Sequence, residues 1–165
     1  MSVRPKKRLG QHFLVDPNVI RKIVDAVEAP PGSPVIEIGP GEGALTGHLL
    51  ARYPDLTAIE VDDEAVAHLR AAHPDLHLLH QDVLDVDWAD LAQRLNPQPS
   101  TANPQPLTVV GNLPYYITSP ILFSLLDARA HLRRAVVMMQ REVAERIVAE
   151  PNSKAYGILS VPTQL

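Results

Sequence analysis

Cysteine is absent from this chain, aromatic residues are scarce, and no long apolar run occurs. Without cysteine there is no disulfide, no thiolate metal ligand and no thiol nucleophile. No metal site is expected. No apolar stretch approaches the ~20 residues needed to cross a bilayer, and the basic start MSVRPKKRLG leads into no signal-type apolar segment. The expectation is a cytoplasmic protein with no membrane attachment. With one tryptophan, four tyrosines and two phenylalanines, an aromatic residue outside a core pattern calls for a reason.

What is present is a 165-residue chain of one-domain size, 45% hydrophobic, with a net charge of -4. That sign runs against a nucleic-acid binder, whose usual footprint is basic. The charge is uneven, however. Arg4, Lys6, Lys7 and Arg8 crowd the start, Arg133, Arg134, Arg141, Arg146 and Lys154 recur late, and acids fill the middle from Asp55 to Asp90. By itself the basic start fits a solvated tail as readily as an arm that contacts phosphates.

Strand and helix patterns alternate along the chain. Asp16 as N-cap, Pro17 at the first helical position and the stripe Val19, Ile20, Ile23, Val24 and Val27 predict the first helix. VIEI (35–38) reads as a buried strand feeding the glycine turn GPGEG and a helix over roughly 43–52. Strands follow at 56–61, 76–80, 107–111 and 135–139, with helices at 62–73, 88–95, 119–127 and 141–150. In the 119–127 helix Ser119 is the expected cap and Pro120 the first residue. NPQPSTANPQP (96–106), with four prolines, is a surface loop. This order means an α/β domain with a mostly parallel sheet.

In such a sheet ligands bind beyond the carboxyl ends of the strands. Those ends carry GPGEG, Glu60-Val61-Asp62, Gln81-Asp82, Asn112-Leu113-Pro114-Tyr115 and Gln140-Arg141. Gly39, Gly41 and Ala44 match a dinucleotide-type G-x-G-x-x-A with Glu60 placed 21 residues on, so a nicotinamide cofactor is a legitimate reading. The charges favour another. Glu37, Glu60 and Asp82 fall at or near strand ends and no Lys or Arg lies in the turn, whereas a pyrophosphate prefers the opposite sign. S-adenosylmethionine suits an acidic rim better, because its ammonium and sulfonium are cationic and its hydroxyls and adenine amine donate hydrogen bonds.

The stretch GNLPYYITSP (111–120) lies past the fourth strand, on the same edge. Pro114 fixes its own φ and drives Leu113 into an extended conformation, so the carbonyls of both point in set directions. Asn112 adds a side-chain carbonyl, and Tyr115 a face on which a base stacks, an interaction of roughly 1–3 kcal/mol. Two acceptors that grip one amine, next to a methyl donor, suit methylation of an exocyclic amine such as N6 of adenine. The bland alternative is a proline turn with tyrosines as filler. Tyr116 is expected to pack under the loop as support.

These residues resemble the ribosomal RNA adenine N6-dimethyltransferases that modify small-subunit rRNA and, more distantly, the erythromycin-resistance methyltransferases of large-subunit rRNA. The resemblance is carried by KKRLGQHFLVDPNVIRKIV (6–24), VIEIGPGEGALT (35–46), the Glu60 strand, Gln81-Asp82, GNLPYYITSPILF (111–123) and MMQREVAERIVAEPNSKAYG (138–157). It implies a Rossmann-like S-adenosylmethionine-dependent domain over residues 11–165 behind a basic arm over 1–10. Gln11, His12, Leu14, Gly39 and Gly41 with the turn, Glu60 (ribose hydroxyls), Asp82 (adenine amine) and Asn112 would hold the cofactor. Asn112, Leu113, Pro114 and Tyr115 would be catalytic, and Arg4, Lys6, Lys7 and Arg8 would contact RNA.

The implied reaction gives N6,N6-dimethyladenosine at two adjacent adenosines of a small-subunit (16S) rRNA hairpin loop, with the pre-30S particle as partner and the enzyme acting as a monomer. A loop is a sensible target, since paired adenines would first have to be flipped out. Against the family pattern the chain stops short, and two further strands and a C-terminal helical domain are expected to be missing. Two other classes stay open: an adenine N6-methyltransferase of the erythromycin-resistance type, and a non-catalytic ribosome-assembly or RNA-binding factor.

Overall fold

The computed structural model describes residues 14–96 and 105–164. Five strands form one sheet: β1 (Val35–Ile38), β2 (Thr57–Glu60), β3 (His77–His80), β4 (Leu107–Asn112) and β5 (Leu132–Met138). Every pairing is parallel, and the order is β3-β2-β1-β4-β5. The chain therefore reverses its winding between β1 and β4, the switch point at which doubly wound sheets open a crevice.

The helices are α1 (Pro17–Val27), α2 (Thr46–Arg52), α3 (Asp63–Ala72), α4 (Trp88–Arg94), α5 (Thr118–Asp127), α6 (Arg141–Ile147) and α7 (Ser160–Gln164). Short-range chemistry sets their starts. Asp16 accepts from the Asn18 amide at 2.8 Å in front of Pro17, Asp62 caps α3, and Asp87 caps α4. α1 ends at Glu28 in the left-handed region, φ 43°, where Arg134 of β5 reaches the Glu28 carboxylate at 2.5 Å and the Ala26 carbonyl at 2.8 Å.

Side-chain alternation along the strands supplies two cores, one per face of the sheet. Ile36, Ile38, Ile59 and Val109 pack with Trp88, Leu91, Leu113, Ile121 and Leu125. Val35, Ala58 and Val110 pack with Ile20, Val24, Leu45, Leu49 and Leu69. At the switch point Gly111 lies opposite Ile38, and a Cβ there would sit 2.6 Å from the Ile38 carbonyl oxygen. Only glycine lets the two strands approach this closely at the crevice.

Several local boundaries change: β5 starts three residues before the expected 135 and α6 ends at Ile147 rather than 150, and two helix starts shift for identifiable reasons. The helix after β1 starts at Thr46 rather than near 43, because Gly39, Gly41 and Gly43 all take positive φ and keep the chain turning. The helix after β4 starts at Thr118, with no side-chain cap; Ser119 is its second residue. A single 3₁₀ turn, Tyr115–Ile117, precedes it and places the chain in helical register earlier than Pro120 suggested.

Candidate active site

One cavity lies at the carboxyl edge of β3, β2, β1 and β4. Its walls include Leu14, Glu37, Gly39, Gly41, Glu60, Asp82, Asn112, Leu113, Pro114 and Tyr115. The structure thus brings together expected residues from the ends of four strands, β1 to β4, and the one described residue of the N-terminal segment. Gln11, His12 and the arm residues Arg4, Lys6, Lys7 and Arg8 lie outside the described residues, as do positions 97–104 of the proline-rich loop. Gln140 and Arg141, past β5, do not line this cavity; Arg141 instead pairs with Glu145 at 2.6 Å.

The glycine turn and the second strand are tied to each other. The Gly39 amide donates to the Ile59 carbonyl at 2.9 Å, and the Gly41 amide to Oε2 of Glu60 at 3.0 Å. Oε1 of Glu60 accepts from the Val61 and Asp62 amides, each at 2.9 Å. A carboxylate offers about four lone-pair sites, so three internal bonds still leave Oε2 able to accept from a hydroxyl. Asp82 commits Oδ1 to the Leu84 amide at 2.9 Å, capping a 3₁₀ turn.

Glu37 is not a rim residue. It lies inside the fully buried strand β1, on the cavity floor, and its Oε2 accepts from the Thr46 hydroxyl at 2.8 Å. Burial raises its pKa from 4.5 to about 8; the Thr46 bond pulls the other way and the Glu60 charge adds to the rise. At neutral pH the protein without ligand therefore holds a proton beneath the cavity.

The Asn-Leu-Pro-Tyr segment is held from two sides. The Leu113 amide donates to the Met138 carbonyl of β5 at 2.9 Å, and the Leu113 side chain lies in the core. The Pro114 carbonyl accepts from the Ile117 amide at 3.2 Å and from the Thr118 hydroxyl at 2.9 Å. Pro114 thus spends its carbonyl inside the turn, which corrects the expectation that it faces an amine. Tyr116, expected under the loop, is 54% exposed and lines the cavity beside Tyr115, which is 39% exposed. In a 3₁₀ turn consecutive side chains diverge by about 120°, so one tyrosine cannot lie beneath the other.

Val61, Gln81, Val83, Ile117 and Ile121 complete much of the wall. Val61 and Gln81 belong to the strand-end stretches singled out in the sequence, although neither is assigned a role there; Val83, Ile117 and Ile121 are assigned none either, because isolated apolar residues look like core. Among the described lining residues there is no Lys, Arg or His. Acids and apolar walls with no cation among the described lining residues fit a cationic, hydroxyl-bearing ligand and oppose a pyrophosphate. Among the described residues no group of three or more His, Asp or Glu could hold a metal ion, and no helix is long and apolar enough to cross a membrane.

Ribosomal RNA small subunit methyltransferase A of Salinibacter ruber is 52% identical over 162 residues, covering 98% of this chain and 52% of that protein. The protein of the same name from Prosthecochloris aestuarii is 48% identical over 163 residues, covering 99% of this chain and 59% of that protein. The chain thus spans just over half the length of these relatives.

Among solved structures, a dimethyladenosine transferase from Plasmodium falciparum superposes with a TM-score of 0.73 at 26% identity, covering 92% of this chain and 51% of that one. The 23S rRNA methyltransferase ErmE gives 0.65 at 33% identity, covering 82% and 50%. The fold is the Rossmann-like fold of methyltransferases. The family described as ribosomal RNA adenine dimethylase matches residues 3–165, and this chain belongs to it.

Proposed function

We propose that the chain is the catalytic part of an S-adenosylmethionine-dependent enzyme that dimethylates N6 of two adjacent adenosines in a small-subunit rRNA loop during ribosome maturation. The observation that carries this reading is one cavity with two chemistries on its walls. Acids and glycine amides line the β1–β2 side, and the Asn112–Tyr115 turn lines the β4 side.

Glu60, Asp82, Leu14 and the Gly39–Gly41 turn hold the cofactor, which when bound supplies an electrophilic methyl group. Asn112 stands between the two halves. Its side-chain carbonyl and the backbone carbonyl of Leu113 accept the two hydrogens of the target amine. That grip favours a pyramidal nitrogen with its lone pair directed at the methyl donor. Positive charge grows on nitrogen during transfer, and the fixed carbonyl dipoles together with the Tyr115 ring face stabilise it. No strong base is required, because the resulting ammonium is acidic enough to lose its proton to water. Positioning supplies most of the remaining rate.

The test is to incubate the chain with tritiated cofactor and separate small and large ribosomal subunits lacking their modifications. Label in an adenine-rich small-subunit loop is the expected result. Label confined to large-subunit RNA would transfer the chain to the erythromycin-resistance type, and cofactor binding without label would leave a non-catalytic RNA-binding factor.

A further inference from the structure

We propose that Thr118 is a positioning residue for methyl transfer: its buried hydroxyl engages the Pro114 carbonyl and so fixes the turn that presents Asn112, the Leu113 carbonyl and Tyr115. The inference rests on the methyl-transfer reading above. Thr118 is 1% exposed and opens α5, and its Oγ1 lies 2.9 Å from the Pro114 oxygen. The same oxygen takes the Ile117 amide at 3.2 Å, so both of its acceptor sites are filled from the helix side. One residue earlier, the Leu113 amide is held by Met138 of β5. The peptide unit between Leu113 and Pro114 is therefore clamped by a strand on one side and a helix on the other. Neither Leu113 nor Pro114 can rotate without breaking one of these bonds, and the carbonyl between the two clamps is that of Leu113.

A hydroxyl is not needed at this depth merely to fill space. Thr57 and Thr108 are equally buried, and their hydroxyls have no hydrogen-bond partner among the described residues. The fold uses those two threonines for their shape. Thr118 differs in that its oxygen is spent on one specific carbonyl in the wall of the candidate active site. Thr118 takes the Pro114 carbonyl, which leaves the preceding carbonyl, that of Leu113, as the backbone acceptor for an amine. The pattern Asn-Leu-Pro-Tyr therefore extends in function to a residue four positions beyond the proline.

The experiment compares the wild-type chain with Thr118→Val, Thr118→Ser and, as a control for loss of a buried hydroxyl, Thr57→Val. Turnover on unmodified small subunits, cofactor affinity by calorimetry and Ile117 amide exchange by NMR are measured on each. Thr118→Val is expected to lower kcat about ten-fold or more with cofactor Kd changed by less than about two-fold, since misplacement of a reacting group is felt in rate rather than ground-state binding. Ile117 exchange should accelerate in the same variant, Thr118→Ser should recover most of the turnover, and Thr57→Val should leave turnover unchanged.

A fall in kcat of less than about five-fold, a matching loss in cofactor affinity, or a serine variant no better than valine would overturn the assignment. If the wild-type chain transfers no methyl group, the methyl-transfer reading fails on its own account. Ile117 exchange then decides the clamp, and unchanged protection in Thr118→Val removes it.

Discussion

The Thr46 hydroxyl and the Glu37 carboxyl face each other across 2.8 Å inside the protein, one at the start of α2 and the other in the central strand. The carboxyl is protonated at neutral pH because the cost of burying a charge there exceeds what one hydroxyl returns. Below the cavity the protein thus keeps an acid in its neutral form.

That acid predicts a pH dependence of stability. The folded pKa, about 8, lies above the unfolded value of 4.5, so between these limits the folded state holds a proton that the unfolded state has lost. Stability of the ligand-free chain from this group is therefore full below about pH 4.5 and declines as pH rises towards 8. Urea unfolding at pH 5, 7 and 9 should show the decline in the wild type and a flatter profile in Glu37→Gln. Equal slopes in the two proteins would remove Glu37 as the source.

Asn112→Ala should reduce turnover by about 10²-fold or more, as loss of a preorganised transition-state contact does, while cofactor affinity changes by no more than a few-fold. Steady-state kinetics beside calorimetry separates the two quantities. Equal losses in both would mean that Asn112 only binds cofactor.

Tyr115→Ala should weaken productive RNA binding by roughly 1–3 kcal/mol of lost stacking, and Tyr115→Phe should retain most of it, because the ring rather than the hydroxyl does the stacking. Methylation rates as a function of RNA concentration give the comparison. A phenylalanine variant as impaired as alanine would point to the hydroxyl instead.

Gly111→Ala places a methyl group 2.6 Å from the Ile38 carbonyl, a backbone atom that cannot step aside. Overpacking of this kind should cost roughly 1–3 kcal/mol of unfolding free energy, read from urea unfolding as a lowered midpoint. Gly157→Ala, where a Cβ meets nothing within 4 Å, should be close to neutral. A stable Gly111→Ala protein with normal turnover would show that β1 and β4 can separate freely.

Periodicity and strand-end chemistry together revealed most of this molecule from its residues alone. All five strands and the Asp16-Pro17 helix start needed only local rules, and the acids at the ends of β2 and β3, Glu60 and Asp82, marked one edge of the sheet before the strand order was known. Local patterns fell short where tertiary partners decide. Glu37 looked like one more rim acid because burial of a strand interior depends on its neighbours on both sides. Ser119 looked like a cap because Ser-Pro is a common helix start; the 3₁₀ turn that carries the chain into α5 earlier depends on a bond from Thr118 back to Pro114. The exposure of Tyr116 follows from that same turn.

The parallel pairing of β1 with β4 also governs the order in which this molecule can assemble. Val35 meets Thr108 across roughly seventy intervening residues, so the central ladder closes a long loop before it gains any contact. The β1–β2–β3 units join segments much closer in sequence and can form first, carrying the glycine turn and both carboxylates of the cofactor side with them. Asn112 and its turn arrive only when β4 slots in beside β1. In chain order, the segments of the cofactor half of the cavity precede those of the half that would hold the amine.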